Sequence, residues 1–160
     1  MEKFRANFKK IMAPALIAVM VVAMTLATAC GTSLKASVEI QCKYLSEDMT
    51  QLTDQSVKEY IPEDGEFLST TEVKFEEGDT AYDVLEEICK ENDIQLEATD
   101  SSYGKYITSI GNLSASAVGA NAGWMFKVNG ETPSVGADSY ELQDGDEIVW
   151  YFVCDYTTQY

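Results

Sequence analysis

Tyr103, Tyr106, Trp124, Phe126, Tyr140, Trp150, Tyr151, Phe152 and Tyr156 all fall in the last 60 residues or so of the chain. Alternation through 124–128 sets Trp124, Phe126 and Val128 on one side and Met125 and Lys127 on the other. Rings grouped this way either fill the core of a small sheet or form a shallow platform. A platform stacks flat or sugar-like ligands and fixes them with a few hydrogen bonds. Asn121 and Asn129 are candidates for those bonds, and Asn129 is also a natural turn residue.

Other chemistry is thinly supplied. The chain has no histidine, which removes the usual general base, the Ser-His and Cys-His pairs and the commonest transition-metal ligand. Asp144-Gly145-Asp146-Glu147 is rich in carboxylates but lacks the calcium-loop spacing, and Asp-Gly is ordinary turn chemistry. No spacing selects a glycosidase-type carboxylate pair, and there is no G-x-S-x-G elbow or phosphate-binding glycine loop. The expectation is a protein that is not an enzyme and has no catalytic cofactor or metal.

The N-terminus reads as an address. Lys3, Arg5, Lys9 and Lys10 precede an apolar run over 11–26, broken only by Pro14 and Thr25. Ala27-Thr28-Ala29 then offers small residues before Cys30. This is signal-peptide order, and the run is short of the ~20 residues a bilayer span needs. Leu26-Ala27-Thr28-Ala29-Cys30 resembles a bacterial lipobox, with Ala27 where leucine is usual. It implies cleavage after Ala29 and acylation of Cys30. Plain secretory cleavage at the same bond is the alternative. Either cut removes four basic residues and one acidic residue, leaving a net charge of −19 where the whole chain has −16. Such a surface repels phosphate backbones, so nucleic acid is excluded as a partner. The expected location is the bacterial membrane surface, by lipid anchor.

The elements that would position the aromatics follow from periodicity. Residues 1–29 are the signal segment, 30–36 a lipidated tether, 37–156 one domain and 157–160 a tail. Val38, Ile40, Cys42 and Tyr44 share one face of a strand over 37–44, and Val73 and Phe75 one face of a weaker strand over 67–75. Ala81, Val84, Leu85, Ile88 and Cys89 form the apolar stripe of a helix over 80–92, with a capping box from Thr80 to Asp83. Short strands follow over 94–98, 106–110, 124–128 and within 134–142. Residues 111–123 are mostly Gly, Ala, Ser and Asn and read as a mobile surface loop. Asn129-Gly130 is a hairpin turn. The apolar run from Ile148 to Cys154 predicts a central strand buried on both faces. The fold class is α+β: a β-grasp-like mixed sheet with one packed helix, in a single domain.

Beyond Cys30, the cysteines Cys42, Cys89 and Cys154 all fall on inward positions. They allow three single pairings with one thiol left over, or buried thiols throughout. A Cys42–Cys154 pair is the favoured bridge, because the first and last strands are expected to be central and adjacent. With no C-x-x-C, a metal site is not expected.

One resemblance joins these segments. Gly104-Lys-Tyr106-Ile-Thr-Ser-Ile110, Gly123-Trp124-Met125-Phe126-Lys-Val-Asn129-Gly130-Glu131, Val135-Gly136-Ala137-Asp138-Ser-Tyr140 and Leu142-Gln-Asp144-Gly145-Asp146-Glu-Ile148-Val-Trp150 occur in order. With Gly78-Asp79-Thr80 before the helix, they resemble a bacterial domain-of-unknown-function family related to the C-terminal β-domain of transcobalamin and intrinsic factor. The resemblance covers roughly 37–156. It implies a β-grasp-like fold and corrinoid binding, with Trp124, Phe126, Tyr140 and Asn129 as candidate ligand residues. In the vertebrate carriers this domain closes over one face of cobalamin while a larger helical barrel holds the rest, and 131 mature residues cannot contain both. Two readings stand: a non-catalytic surface lipoprotein module that captures a corrinoid or other small ligand, or a protein-interaction or adhesion module with no small ligand.

The lipobox reading makes one direct demand. Cells expressing the chain should incorporate labelled palmitate into it, and Cys30→Ser should abolish the label. Equal labelling of both forms would remove the lipid anchor.

Overall fold

Strict alternation makes the first strand. β1 (Leu34–Gln41) buries Ala36, Val38 and Ile40 and turns Lys35, Ser37, Glu39 and Gln41 to the other face. The computed structural model describes residues 33–158; the expected signal segment, its cleavage site and Cys30 lie outside the described residues. β1 starts three residues earlier than expected and takes up the end of the tether at 30–36. It also stops sooner. A short helix, α1 (Lys43–Glu47), follows at once, so Cys42 and Leu45 are buried while Tyr44 is 57% exposed. A helix turns about 100° per residue, so Tyr44 leaves the face that Val38, Ile40 and Cys42 share. Residues 48–65 hold two 3-10 turns, Met49–Gln51 and Gln55–Tyr60. They close at Gly65 (φ +73°), whose carbonyl accepts from Cys42 N at 2.7 Å.

Four strands form a mixed sheet in the order β2-β1-β7-β6. β2 (Glu66–Phe75) runs antiparallel to β1, β7 (Glu147–Val153) parallel to β1, and β6 (Gly123–Val128) antiparallel to β7. β7 is central, as expected, but it is not buried on both faces. Ile148, Trp150 and Phe152 are buried, whereas Val149 and Tyr151 are only half-buried. Lys127 Nζ lies 5.1 Å from the Tyr151 ring centroid and covers part of that outer face.

The helix α2 (Ala81–Glu91) packs its stripe of Ala81, Val84, Leu85, Ile88 and Cys89 into the core shared with β1 and β7. The capping box is formed: Thr80 Oγ1 accepts from Asp83 N at 3.2 Å, and Asp83 Oδ2 accepts from Thr80 N at 2.9 Å. The fold is α+β around one mixed sheet. A second sheet stands beside it where one was expected: β3 (Leu96–Ser101), β4 (Gly104–Ile110) and β5 (Leu113–Ser114), all antiparallel. Residues 134–142 hold no strand; Glu141 makes a lone bridge to Thr80.

The small-residue segment 111–123 is not a loose loop. Leu113, Ala117 and Ala122 are buried, and Ala117 O accepts from both Thr53 N (2.9 Å) and Asp54 N (3.2 Å). Small side chains here permit close packing. At Gly111 (φ +59°) an added Cβ would overlap the Phe67 ring.

Asn129 (φ +53°) and Gly130 (φ +80°) form the expected turn. It closes only the bridge Val128↔Glu131, because the long partner of β6 is β7. Asn129 also fastens that partner. Its Nδ2 donates to Asp146 Oδ1 at 2.8 Å and its Oδ1 accepts from Glu147 N at 3.0 Å. Asp146, 6% exposed, takes a further bond from Gln143 N at 2.9 Å.

The favoured Cys42–Cys154 bond is not closed; Cys42 and Cys89 are buried thiols. The register explains the miss. Gln41 stands beside Tyr151, so Cys154 lies two positions beyond the neighbour of Cys42, roughly 7 Å of strand rise. Burial pushes the Cys42 thiol up to about 12, with the nearby Cys154 and Asp64 adding to it, and burial alone takes Cys89 to about 12.

Three outcomes follow. Iodoacetamide at pH 8 should leave Cys42 and Cys89 unlabelled in the folded chain and label both in urea, as peptide mass spectrometry reads. Stability should fall as pH climbs from the ordinary thiol value of 9.0 toward about 12, because the unfolded chain ionises first. Rapid native labelling would mean that the core opens readily. Asn129→Ala should cost about 2 kcal/mol in urea unfolding, since it strips a donor from a buried carboxylate. An unchanged midpoint would show that Asp146 finds another donor.

Candidate functional site

The register of β6 against β7 decides which aromatics meet. Phe126 stands opposite Trp150 and Trp124 opposite Phe152. Phe126 stacks on Trp150 with centroids 5.0 Å apart and planes 23° from parallel, and Tyr140 meets Phe126 edge-on at 6.4 Å. Phe126 and Tyr140 are half-buried, so this cluster reaches the surface; Trp150 beneath is 2% exposed. Tyr140 comes from the segment after the Asn129 turn. Ala81 N donates to its carbonyl at 3.0 Å and Leu142 N donates to Asp79 O at 3.0 Å, which pins the segment to the start of α2.

Of the four candidate ligand residues, the structure unites Phe126 and Tyr140 and withdraws the other two. Trp124 is 6% exposed and packs edge-on against Phe67 (5.9 Å) and Phe152 (5.4 Å). Its Nε1 donates to Leu113 O at 2.8 Å, so ring and donor are both spent on the core. Asn129 is committed to Asp146 and Glu147, as described above. Asn121 lies apart from the cluster, its carbonyl accepting from Tyr156 N at 2.9 Å.

Trp150 belongs to the aromatic group but not to the four candidate ligand residues. Its Nε1 is buried and finds no acceptor among the described residues. An indole N–H left so costs about 1–3 kcal/mol. Its position in an apolar run marked it as core; only its pairing with Phe126 places it under the half-buried rings.

A second knot holds the β3–β4 hairpin. Asp138 packs against Gly104 (φ +102°), where an added Cβ would collide with its carboxylate, and Gly136 packs against the Tyr103 carbonyl. Asp138 Oδ1 is buried without a hydrogen-bond partner among the described residues. Tyr103, at the tip, is 89% exposed. The Val135–Tyr140 motif therefore serves first to dock the hairpin and the start of α2, where Tyr82 N donates to Ala137 O at 3.1 Å. Among the described residues no group of three or more Cys, Asp or Glu side chains is placed to hold a metal. No described helix is long and apolar enough to cross a membrane.

No curated protein matches the sequence. Among solved structures, haptocorrin in complex with Cbi matches with a TM-score of 0.56 and 21% identity over 77% of this chain. The chain spans 25% of the length of that haptocorrin. At this identity the match speaks for the fold alone. A protein from Ruminococcus gnavus to which metal binding has been ascribed matches with a TM-score of 0.45 and 17% identity, over 77% of this chain and 99% of its own. Residues 78–153 match a family described as a domain of unknown function (DUF4430), a span from the turn before α2 to the end of β7. Residues 78–153 thus carry the likeness to this family, and the fold is like that of part of haptocorrin, in line with the resemblance of the motifs.

Proposed function

We propose that the chain is a non-catalytic binding module, displayed on the bacterial surface by a lipid on Cys30. Its ligand is a small molecule with a flat face and hydrogen-bond acceptors at its rim. Corrinoids are the leading class, because the ring is broad and its side-chain amides carry carbonyl oxygens. The observation that carries this reading is the Trp150 indole N–H, buried without an acceptor among the described residues, in a ring stacked under Phe126, which Tyr140 meets edge-on. A ligand carbonyl reaching past those two rings would satisfy it. The likeness to haptocorrin, solved with Cbi, supports the choice of class. Because the chain spans a quarter of that protein, a second component would supply the other half of the site, and binding by this chain alone would be modest. With no histidine, the chain offers no imidazole to cobalt. The second reading, a protein-interaction surface, rests on a different part of the molecule, the outer edge of β2.

Calorimetric titration of the chain with cobinamide and cobalamin tests the first reading. Saturable heat with Kd near 1 µM, worth about 8 kcal/mol, is the expected result. Trp150→Phe keeps the stack but loses the donor and should weaken binding about tenfold. Trp124→Phe should leave affinity unchanged. No heat with any corrinoid, or equal affinity for the Trp150 variant, would sink this reading.

A further inference from the structure

β2 is outermost in the sheet, and no described strand pairs with its far side. The direction of its unused main-chain groups follows from β1. Lys35 N donates to Asp144 Oδ1 at 2.8 Å, Lys35 O accepts from Gly145 N at 2.7 Å, and Ser37 N donates to Asp146 O at 2.9 Å. Lys35 and Ser37 thus point their main-chain groups toward the β7 side. Main-chain groups alternate sides along a strand, so Ala36 and Val38 face β2 and pair with Val73 and Thr71. Lys74 and Glu72, opposite Lys35 and Ser37, must then direct their N–H and C=O groups to the open edge.

Beside that edge, β2 and α2 enclose a groove of about 300 Å³. Val73, Val84 and Ile88 line its apolar part, and Glu87 and Glu91 stand on the helical rim. The helical members, at 84, 87, 88 and 91, form one stripe of α2. Glu72 is paired with Lys35 at 2.6 Å, whereas no ion pair among the described residues uses Glu87, Glu91 or the lining cation Lys74, so two unpaired carboxylates face one ammonium and the lining is net acidic.

We propose that this groove binds an extended basic segment of a partner protein, which joins the sheet as an added strand at β2. Main-chain bonds at Glu72 and Lys74 hold the segment in register. Every second side chain of the segment faces α2, where apolar ones meet Val73, Val84 and Ile88 and Lys or Arg at the next such position meets Glu87 and Glu91; the side chains between them face away from the groove. Charge selects this occupant over a second copy. Pairing of two β2 edges would bring two acidic rims together on chains that each carry −16. The groove lies at the opposite side of the sheet from β6, which carries Phe126, so it does not depend on the small-ligand reading.

The test uses the full chain and a fluorescein-labelled decapeptide of repeating Lys-Thr-Val-Thr, which sets Lys and Val on one face, with the same peptide carrying Glu for Lys (the Glu-Val peptide) as control, read by anisotropy, with amide exchange on β2. Saturable binding should slow exchange at Glu72 and Lys74, and a Glu-Val peptide should not bind. Glu87→Gln with Glu91→Gln should weaken binding about tenfold. Lys74→Pro removes an outward N–H without touching the ladder to β1 and should abolish the exchange protection. If the proline variant fails to fold by circular dichroism, the glutamine pair decides. The proposal is overturned by no saturable binding, by equal binding of the Glu-Val peptide, or by unchanged affinity in the glutamine pair. Protection of β2 that rises with protein concentration alone would overturn it too, assigning the edge to a second copy.

Discussion

Parallel pairing of β1 with β7 holds the architecture together. These strands lie at opposite ends of the described chain, and their register runs from Ser37↔Glu147 to Gln41↔Tyr151. A parallel pair cannot be joined by a tight turn. Everything between must therefore cross over and return, and that connection holds α2 and the second sheet. The pairing is secured where β7 begins: Asp146 O accepts from Ser37 N, while its carboxylate gathers Asn129 and Gln143. One residue, Asp146, thus ties together β1 through its carbonyl, and the turn after β6 and the approach to β7 through its buried carboxylate. Closing so long a loop is entropically slow, and the well-capped α2 and the β3–β4 hairpin are local structures that can form before it.

The same arrangement separates two surfaces. β1 and β7 occupy the middle of the sheet, which leaves β2 and β6 as its edges. β6 brings Phe126 onto Trp150 and toward Tyr140. β2 faces α2 across an acidic groove. Aromatic stacking and a lone indole donor suit a flat ligand on one side, and unused main-chain groups suit a strand on the other. The motif residues between them are mainly structural: Gly104, Gly136 and Asp138 interlock, and Trp124 fills the gap between the two sheets by bonding Leu113.

What could be read ahead of the structure was local. The stripe of α2 and its Thr80–Asp83 box depend on residues within one or two helical turns, and both are formed. Asn129-Gly130 takes positive φ at both positions because few other pairs tolerate it. The interior place of β7 was legible from its apolar run. The segment 111–123 misled because small residues look the same in a loose loop and in a tight seam; the difference lies in Thr53, Asp54 and Phe67, far away in sequence. Tyr44 and the Cys42–Cys154 bond failed for one reason. Alternation says which side of a strand a residue takes, but not where the strand stops or how it registers with its neighbour.

The sequence alone determined the acidic charge, the absence of histidine, the helix with its cap, the tight turn and the family motifs, all of which are written in composition or in neighbouring residues. The tertiary structure decided which aromatics are spent on the core and which reach the surface. It sent Trp124 inward to Leu113, set Trp150 beneath Phe126, and turned the main-chain groups of Glu72 and Lys74 outward. Each of those outcomes is a matter of register between strands distant in sequence. A shift of one residue would exchange every inward side chain for an outward one, and nothing local to either strand specifies it.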